Sequence, residues 1–284
     1  MRLLLTAIFS LGLLLASLPG RAESALEFGL APYISTRTLL GMFKPLSAFL
    51  ERRLERPVML VSAPDLENFD RQLIGQQYDI AIVAPHTARL AQRDHGYEPL
   101  LRFSSDLYGV LLVKAGSPVQ NVRELAGLVI AFPQRTSATA LLGQELLEKY
   151  GVGMSHVERP HSFQDSVLLG LTQGEYPAAL VNAFVLHQAP ESQRLLVKQI
   201  AQTRKISNLI IVARADLSRP GREALQAAIT EFMETTPEGA KFLKETGLAG
   251  VRPVSDTDLK NLDSLAADQR RIWEELRLGQ RQVR

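Results

Sequence analysis

The sequence predicts an α/β fold with two lobes, each a central sheet flanked by helices, and a ligand cleft between them. Short apolar segments alternate with amphipathic helical stripes three times within the first 95 residues. Such alternation is typical of parallel strands joined by crossover helices. The same alternation starts again near residue 108. The 284-residue chain is also too long for one small core, which favours two lobes of ordinary size.

The first 22 residues have the composition of an export signal. Arg2 precedes the apolar run Leu3–Leu18, and the small residues Gly20 and Ala22 occupy the positions that a signal peptidase recognises. We therefore expect cleavage near Ala22 and a mature protein in the periplasm. Since the chain contains no cysteine, it can form no disulfide and carry no lipid on a mature N-terminal cysteine.

The charge balance excludes several classes of partner. The chain has 32 lysines and arginines against 30 acidic residues. The predicted signal holds Arg2 and Arg21 but no acidic residue, so the mature protein is formally neutral. Such a balance favours neither a nucleic-acid groove nor an anionic membrane surface. We expect a monomer that binds no nucleic acid and has no direct lipid anchor.

The first lobe is predicted from strand and helix patterns that begin directly after the signal. Its helices carry apolar residues at three- and four-residue steps, and its strands are short apolar runs. In chain order the predicted elements are the strand Leu26–Ala31, a helix from about Leu39 to Leu54, the strand Val58–Val61, the helix Leu66–Ile74, the strand Asp79–Val83 and the helix His86–Arg93. In a parallel sheet of this kind, ligands bind beyond the carboxyl ends of the strands.

The second lobe is predicted over residues 106–205, and the first lobe over residues 23–105 and 206–284. Second-lobe strands are predicted at Tyr108–Val113, Val129–Phe132, His156–Arg159 and Ala178–Val181, with helices at Ser137–Tyr150 and Gln164–Gln173. The chain returns through the strand Asn208–Ala213 to helices at Arg219–Met233, Pro237–Glu245 and Asp256–Leu278. Crossings near Ser104–Gly109 and Arg204–Ser207 predict a hinge. The last helix is expected to pack on the first lobe, with partner docking as the alternative.

Three segments carry a resemblance to a known family. They are Ala63-Pro64-Asp65 after the second strand, the run GSPVQNVRELAG from Gly116, and the run HSFQDSVLLGLTQGE from His161. In this order and spacing they resemble the phosphate/phosphite/phosphonate-binding periplasmic proteins of ABC transporters. The resemblance implies a type II binding-protein fold, a small oxyanion held in the cleft, and delivery to a membrane permease. A sensor that presents its ligand to a histidine kinase or cyclase shares this fold and is the alternative.

The predicted oxyanion site is the junction of a buried strand and a long helix at Pro133–Thr139. A helix N-terminus offers unpaired N–H groups and a partial positive charge, so the residues around Ala138 suit an anion. Thr136 and Ser137 add hydroxyl donors, although helix capping alone would also explain them. The resemblance places Pro133 before the Ser/Thr cluster that holds the ligand. Arg135 either makes bidentate bonds to the ligand or points to solvent.

Further candidates for the cleft wall come from the resemblance and from strand ends. The resemblance implies that His161 and Tyr108 contact the ligand; a satisfied or surface histidine and a half-buried core tyrosine are the alternatives. His86 and Tyr33 follow predicted strands and are expected at the cleft mouth. Asn182 is expected to orient a ligand through its amide or to cap the next helix.

Several chemistries find no support in the sequence. The nucleophile-elbow, zinc-protease, phosphate-loop and dinucleotide-binding motifs are absent, so neither an enzyme nor a cofactor is predicted. The five histidines lack short ligand spacings, so no metal site is predicted. In aminoalkylphosphonate binders two acidic residues hold the ligand's ammonium group. The resemblance puts those places near Phe184 and Asn208-Leu209, where no carboxylate is available. A smaller oxyanion, or one with an uncharged tail, is therefore expected.

Overall fold

The computed structural model describes residues 24–153, 157–161 and 163–282. The predicted signal and its cleavage near Ala22 lie outside the described residues. Within those ranges, no helix combines the length and the apolar character that crossing a bilayer would require.

Strands and helices alternate along most of the chain. The strands are β1 (Leu26–Leu30), β2 (Val58–Val61), β3 (Ile80–Val83), β4 (Tyr97–Phe103), β5 (Asp106–Leu107), β6 (Gly109–Lys114), β7 (Val129–Pro133), β8 (Val157–His161), β9 (Ala178–Asn182), β10 (Val197–Gln202), β11 (Ile206–Ser207), β12 (Ile210–Arg214) and β13 (Val251–Pro253). The helices are α1 (Thr36–Leu54), α2 (Leu66–Ile74), α3 (Pro85–Asp94), α4 (Ala138–Lys149), α5 (Gln164–Gln173), α6 (Ala183–Gln188), α7 (Glu191–Arg194), α8 (Arg219–Thr235), α9 (Pro237–Thr246), α10 (Asp256–Lys260) and α11 (Asp263–Gln282).

The first sheet has the strand order β13-β4-β12-β3-β1-β2. Strand β1 pairs in parallel with β2 and β3, as the alternation predicts, whereas β12 pairs antiparallel with both β3 and β4. The parallel pairing predicted for the first three strands is therefore confirmed, and the returning strand β12 joins the sheet antiparallel. Helix α1 covers the sheet with the predicted apolar stripe, of which Leu39, Phe43, Leu46 and Leu50 are completely buried.

The second sheet has the order β10-β6-β9-β7-β8. Strand β7 pairs in parallel with β8 and β9, whereas β6 pairs antiparallel with β9 and β10. Strand β9 is an uninterrupted apolar run from Ala178 to Val181 and is buried along that length, as expected for a strand covered on both faces. Helices α4 and α5 both pack on this sheet.

A short ribbon joins the two sheets. The chain leaves the first sheet after β4 and returns to it before β12, and the two crossing segments pair antiparallel as β5 and β11. The amide of Asn208 donates to Ser105 Oγ at 2.9 Å, which ties the two crossings together. The predicted lobe boundaries at residues 105 and 205 lie at this ribbon. They stay a prediction.

The C-terminal region departs from the single predicted helix. A capping box at Ser255 and Asp258 starts α10, which ends at Lys260, and α11 begins at Asp263. Helix α11 packs mainly on α3, as expected, and it also contacts α4, which packs on the other sheet. Its buried residues Leu265 and Ile272 share one apolar cluster with Leu141 and Leu142 of α4.

Candidate functional site

A small cavity lies where strands of both sheets end. Its volume is about 50 Å³, several times the roughly 10–15 Å³ of probe-occupied space that one water needs. Ala31 follows β1, Ala84 follows β3, and Asn182 ends β9, so parallel strands converge on it. This is the position at which α/β sheets bind ligands. The lining residues are Ala31, Tyr33, Leu66, Ala84, Leu107, Ser137, Ala138, Thr139, Gln164, Asn182, Phe184, Asn208, Leu209 and Leu248.

Helix α4 begins at the cavity wall and supplies hydrogen-bond donors. Ser137 is its N-cap, and the Ser137 hydroxyl oxygen accepts the Ala140 N–H at 3.1 Å. Ser137 therefore caps α4, and the cap leaves its hydroxyl proton available. The N–H groups of Ala138 and Thr139 have no carbonyl partner within the helix because they occupy its first positions. Together with the positive end of the helix dipole, they make this wall suited to an anion.

Tyr33 reaches the cavity from the loop after β1. Its hydroxyl is buried, and among the described residues it has no hydrogen-bond partner. The ring packs edge-on against Phe184, with 5.6 Å between ring centroids. Burial raises the pKa of the Tyr33 hydroxyl, so the group keeps its proton and remains a donor. A buried hydroxyl without a partner destabilises the protein; a ligand oxygen would satisfy it.

Two amide side chains in the lining present their donor ends. The Oε1 of Gln164 accepts the Asn182 N–H at 2.6 Å, and the Oδ1 of Asn182 accepts the Phe184 N–H at 2.9 Å. Asn182 therefore caps α6 as well as lining the cavity. Each carbonyl oxygen already accepts one hydrogen bond from the protein, and both NH₂ groups remain as donors to a ligand. Sequence reasoning missed Gln164, although it is the first helical residue after β8 and the strand-end rule covers it.

The hydrogen-bond donors that line the cavity are uncharged. None of its lining residues is a lysine, arginine, histidine, aspartate or glutamate. Phe184, Asn208 and Leu209, where an ammonium-binding carboxylate was expected to be missing, all line it. The Asn208 side chain is fully engaged, since its amide donates to Ser105 Oγ and Asp106 O and its carbonyl accepts the Leu209 N–H. An oxyanion finds donors here, and an ammonium group finds no counter-charge.

Arg135 does not take the position that ligand binding requires. Its Nη2 contacts Glu275 Oε2 of α11 at 3.2 Å, and about half of its side chain (51%) is exposed. It lines a different, highly charged pocket of about 450 Å³ between α4 and α11. The solvent-facing alternative therefore describes this structure. The physical reason is that an exposed guanidinium keeps its hydration and meets a carboxylate on α11, whereas the cavity side would bury it.

Thr136 and His86 lie behind the cavity wall instead of lining it. Both are buried, and the Nε2 of His86 is 3.0 Å from the carbonyl oxygen of Thr136. Burial lowers the pKa of His86 to about 4, so the ring is neutral. A carbonyl can only accept, so the proton must be on Nε2 and the ring must donate. The predicted ligand contacts of these two residues are replaced by a contact with each other.

Tyr108 and His161 also lie outside the cavity lining. Tyr108 lines an adjoining pocket of about 280 Å³, where Lys205 Nζ is 5.3 Å from its ring centroid. That pocket shares Asn182 and Phe184 with the cavity. The His161 ring packs edge-on against Tyr176 at 5.3 Å. Thus Tyr33, Ser137, Ala138 and Asn182 of the predicted residues are brought together, and Arg135, Thr136, Tyr108, His86 and His161 are not.

One other pocket suits an anion less well. A larger pocket of about 350 Å³ between α1, α5 and α6 contains the carboxylate of Asp165, which would repel an anion. Among the described residues, no group of three or more histidine, aspartate or glutamate side chains could hold a metal ion.

Comparison with known proteins identifies the family. Residues 28–259 match the family described as "ABC transporter, phosphonate, periplasmic substrate-binding protein". The chain belongs to this family. Its members are periplasmic transport components and not enzymes, which supports transport over the sensing alternative. No curated protein matches the chain.

Solved structures share the fold at low sequence identity. A binding protein component of an ABC phosphonate transporter from Pseudomonas aeruginosa is 16% identical, with a TM-score of 0.77 and 87% of each chain covered. PhnD1 from Prochlorococcus marinus, in complex with methylphosphonate, is 14% identical, with a TM-score of 0.78 and 86% and 97% covered. The alkanesulfonate-binding protein SsuA from Xanthomonas axonopodis pv. citri, bound to MOPS, is 17% identical, with a TM-score of 0.62 and 87% and 93% covered. These similarities confirm the predicted type II fold.

Proposed function

We propose that the chain captures a small oxyanion of the phosphonate, phosphite or phosphate class in the cavity and delivers it to the permease of an ABC transporter. The observation that carries this proposal is the set of uncharged donors around the start of α4. Ser137, Tyr33 and the amides of Asn182 and Gln164 can all donate. A site of this kind stabilises oxygen atoms that bear negative charge.

The shape of the cavity favours an anion with one substituent that needs no hydrogen bond. Its remaining wall is apolar and includes Leu107, Leu209 and Leu248. Methylphosphonate and phosphite each have such a substituent, a methyl group or a hydrogen atom. Phosphate would place a fourth oxygen against this wall and lose its hydration without replacement. We expect both to bind more tightly than phosphate, and 2-aminoethylphosphonate to bind weakest because its ammonium group meets no carboxylate.

The proposed transport role includes export. Residues 1–22 would act as the signal, with cleavage near Ala22 leaving a monomeric protein in the periplasm without a lipid anchor. N-terminal sequencing of the protein recovered from the periplasm tests the cleavage site. Uptake of the bound anion by a deletion strain that carries either the wild-type gene or the Ser137→Ala variant tests delivery.

Binding is tested by calorimetry with phosphite, methylphosphonate, phosphate, sulfate and 2-aminoethylphosphonate. Removing a hydrogen bond to a charged group weakens binding by about 1.5–3 kcal/mol, so Ser137→Ala should weaken binding by about 10- to 150-fold. Ser166→Ala is the matched control because Ser166 is exposed on α5 and lines the other pocket. Absence of binding by every anion, or equal effects of the two variants, would contradict the proposal.

A further inference from the structure

The loop between β7 and α4, residues 134–137, is held by groups from the other sheet. The Oε1 of Gln134 accepts the Leu66 N–H at 2.8 Å, and the Thr136 carbonyl accepts from His86 Nε2. Leu66 is the first residue of α2, and His86 is the second residue of α3. Both helices connect strands of the first sheet. The loop instead leads from β7 of the second sheet into α4, whose N-terminus faces the cavity. These contacts exist only while the two sheets are close together.

Other contacts at the cavity rim do not involve the start of α4. On the opposite side, the Tyr33 carbonyl accepts the Gln164 N–H at 3.1 Å, and Asp165 Oδ2 accepts the Ser35 N–H at 3.2 Å. Those contacts join α5 to the loop after β1, and neither touches the start of α4. The His86 contact alone is made by a ring that is wholly buried (0% exposed). Losing it would leave a buried carbonyl without a donor, which is unfavourable.

We propose that His86 and Gln134 form a clasp that holds the two sheets together in a closed state. The clasp also positions the N-terminus of α4 against the ligand. His86 is thus a positioning residue, which acts through the Thr136 carbonyl without touching the anion. The inference rests on the proposed function only in that the ligand is a small oxyanion. It predicts that the clasp slows ligand release more than it affects ligand entry, because the closed state must open before the anion leaves.

The first test is stopped-flow kinetics with methylphosphonate. His86→Leu removes the donor, and His86→Gln retains an N–H at a similar distance from the backbone. We expect His86→Leu to raise the dissociation rate about tenfold with less than a twofold change in the association rate, and His86→Gln to restore most of the difference. Gln134→Ala, a milder change at a partly exposed residue, should raise the dissociation rate by about threefold. A merely structural residue would lower the melting temperature without changing the dissociation rate.

The second test does not depend on identifying the ligand. Since the chain has no cysteine, spin labels can be attached at Lys149→Cys and Lys241→Cys, which replace exposed residues on α4 and α9. Pulsed dipolar spectroscopy then measures the closed fraction with and without methylphosphonate. We expect His86→Leu to lower the closed fraction and His86→Gln to preserve it. If methylphosphonate leaves the parent unchanged while His86→Leu still opens it, the proposed ligand is wrong and the clasp stands; a closed fraction that His86→Leu leaves unchanged overturns the clasp.

Discussion

Two regions on either side of the β7–α4 loop differ sharply in how they use charge. The cavity side presents hydroxyl, amide and backbone donors and has no charged residue in its lining. The α11 side is a pocket about nine times larger in volume, 450 against 50 Å³, where arginines and carboxylates are mixed. Arg135 and Ser137 are two residues apart in sequence yet lie on opposite sides. The only cation in this loop therefore faces away from the site proposed to bind an anion.

The comparison favours oriented dipoles over charged side chains as the basis of the proposed anion binding. Burying a guanidinium beside a small anion would require dehydrating both ions, and the ion pair often fails to recover that free energy. Backbone N–H groups at a helix N-terminus are already oriented and cannot be hydrated fully in a closed cavity, so they lose less on binding. The charged pocket instead stays open to water, where ion pairs contribute little to stability.

The largest expected effect comes from placing a negative charge on the cavity side. Ala138→Asp adds a carboxylate at the first helical position, where the helix dipole tolerates it. A second anion would then have to share the cavity, and close like charges oppose each other by several kcal/mol. We expect the affinity for any oxyanion to fall at least about 1,000-fold, which corresponds to roughly 4 kcal/mol. Calorimetry measures the loss, with Ala138→Asn as a control of equal size. Equal losses for both variants would indicate steric blocking and contradict the electrostatic account.

The next effect concerns the neutral histidine behind the cavity. The pKa of His86 is about 4, against 6.5 for an unburied histidine, so protonation favours the unfolded chain. The free energy of unfolding therefore keeps its full value with respect to His86 above pH 6.5. It falls by up to about 3 kcal/mol as the pH falls towards 4. The His86→Gln variant should not show this fall in unfolding free energy, because glutamine does not titrate. Urea denaturation of both proteins at pH 7 and pH 4 measures the difference.

Asp70 provides a reason to compare the two proteins instead of measuring one. Burial raises the pKa of the Asp70 carboxyl, so its contribution to stability is present at low pH and is lost as the pH rises. That trend opposes the trend of His86, but it is the same in wild type and His86→Gln and cancels in the difference. Identical pH profiles for the two proteins would show that His86 does not titrate as described.

A smaller effect is expected for Tyr33→Phe, which should make the ligand-free protein more stable but weaken ligand binding. The substitution removes a buried hydroxyl that has no partner among the described residues. Without ligand, the variant should be more stable by about 1 kcal/mol. With ligand, it should bind about tenfold more weakly because one donor is lost. Thermal unfolding and calorimetry test the two parts, and a less stable variant without ligand would show that the hydroxyl has a partner after all.

Much of the fold follows from local pattern in the sequence. The apolar stripe of α1 and the continuous apolar run of β9 are determined by their own residues, and both lie as expected. The strands β4 and β10 were missed because Glu98, Pro99 and the polar residues of Val197–Gln202 interrupt the apolar pattern. Their strand conformation depends on pairing with β12 and β6. The break between α10 and α11 was likewise hidden, since Leu259, Leu262 and Leu265 keep a helical spacing across it.

The candidate site was predictable where it depends on chain position and not where it depends on side-chain direction. Ser137, Ala138, Tyr33 and Asn182 follow strand ends or begin helices, and all four line the cavity. His86 meets the same positional rule, but its ring turns towards Thr136. Sequence position cannot reveal this, because the partner carbonyl belongs to a loop 50 residues away. Arg135 was open to two interpretations because its partner, Glu275, lies on a helix still further along the chain.

The smallest effect is expected for Arg135→Gln, which tests the charged side of the comparison. An exposed ion pair contributes about 0–1 kcal/mol, so both stability and anion affinity should change little, with less than about a threefold change in affinity. Raising the ionic strength from about 50 to 300 mM should also leave the affinity of the buried cavity nearly unchanged, because salt screens exposed charges far more than buried ones. A tenfold or greater loss of affinity would mean that Arg135 leaves Glu275 and reaches the anion, in which case charge and not dipole orientation would dominate binding.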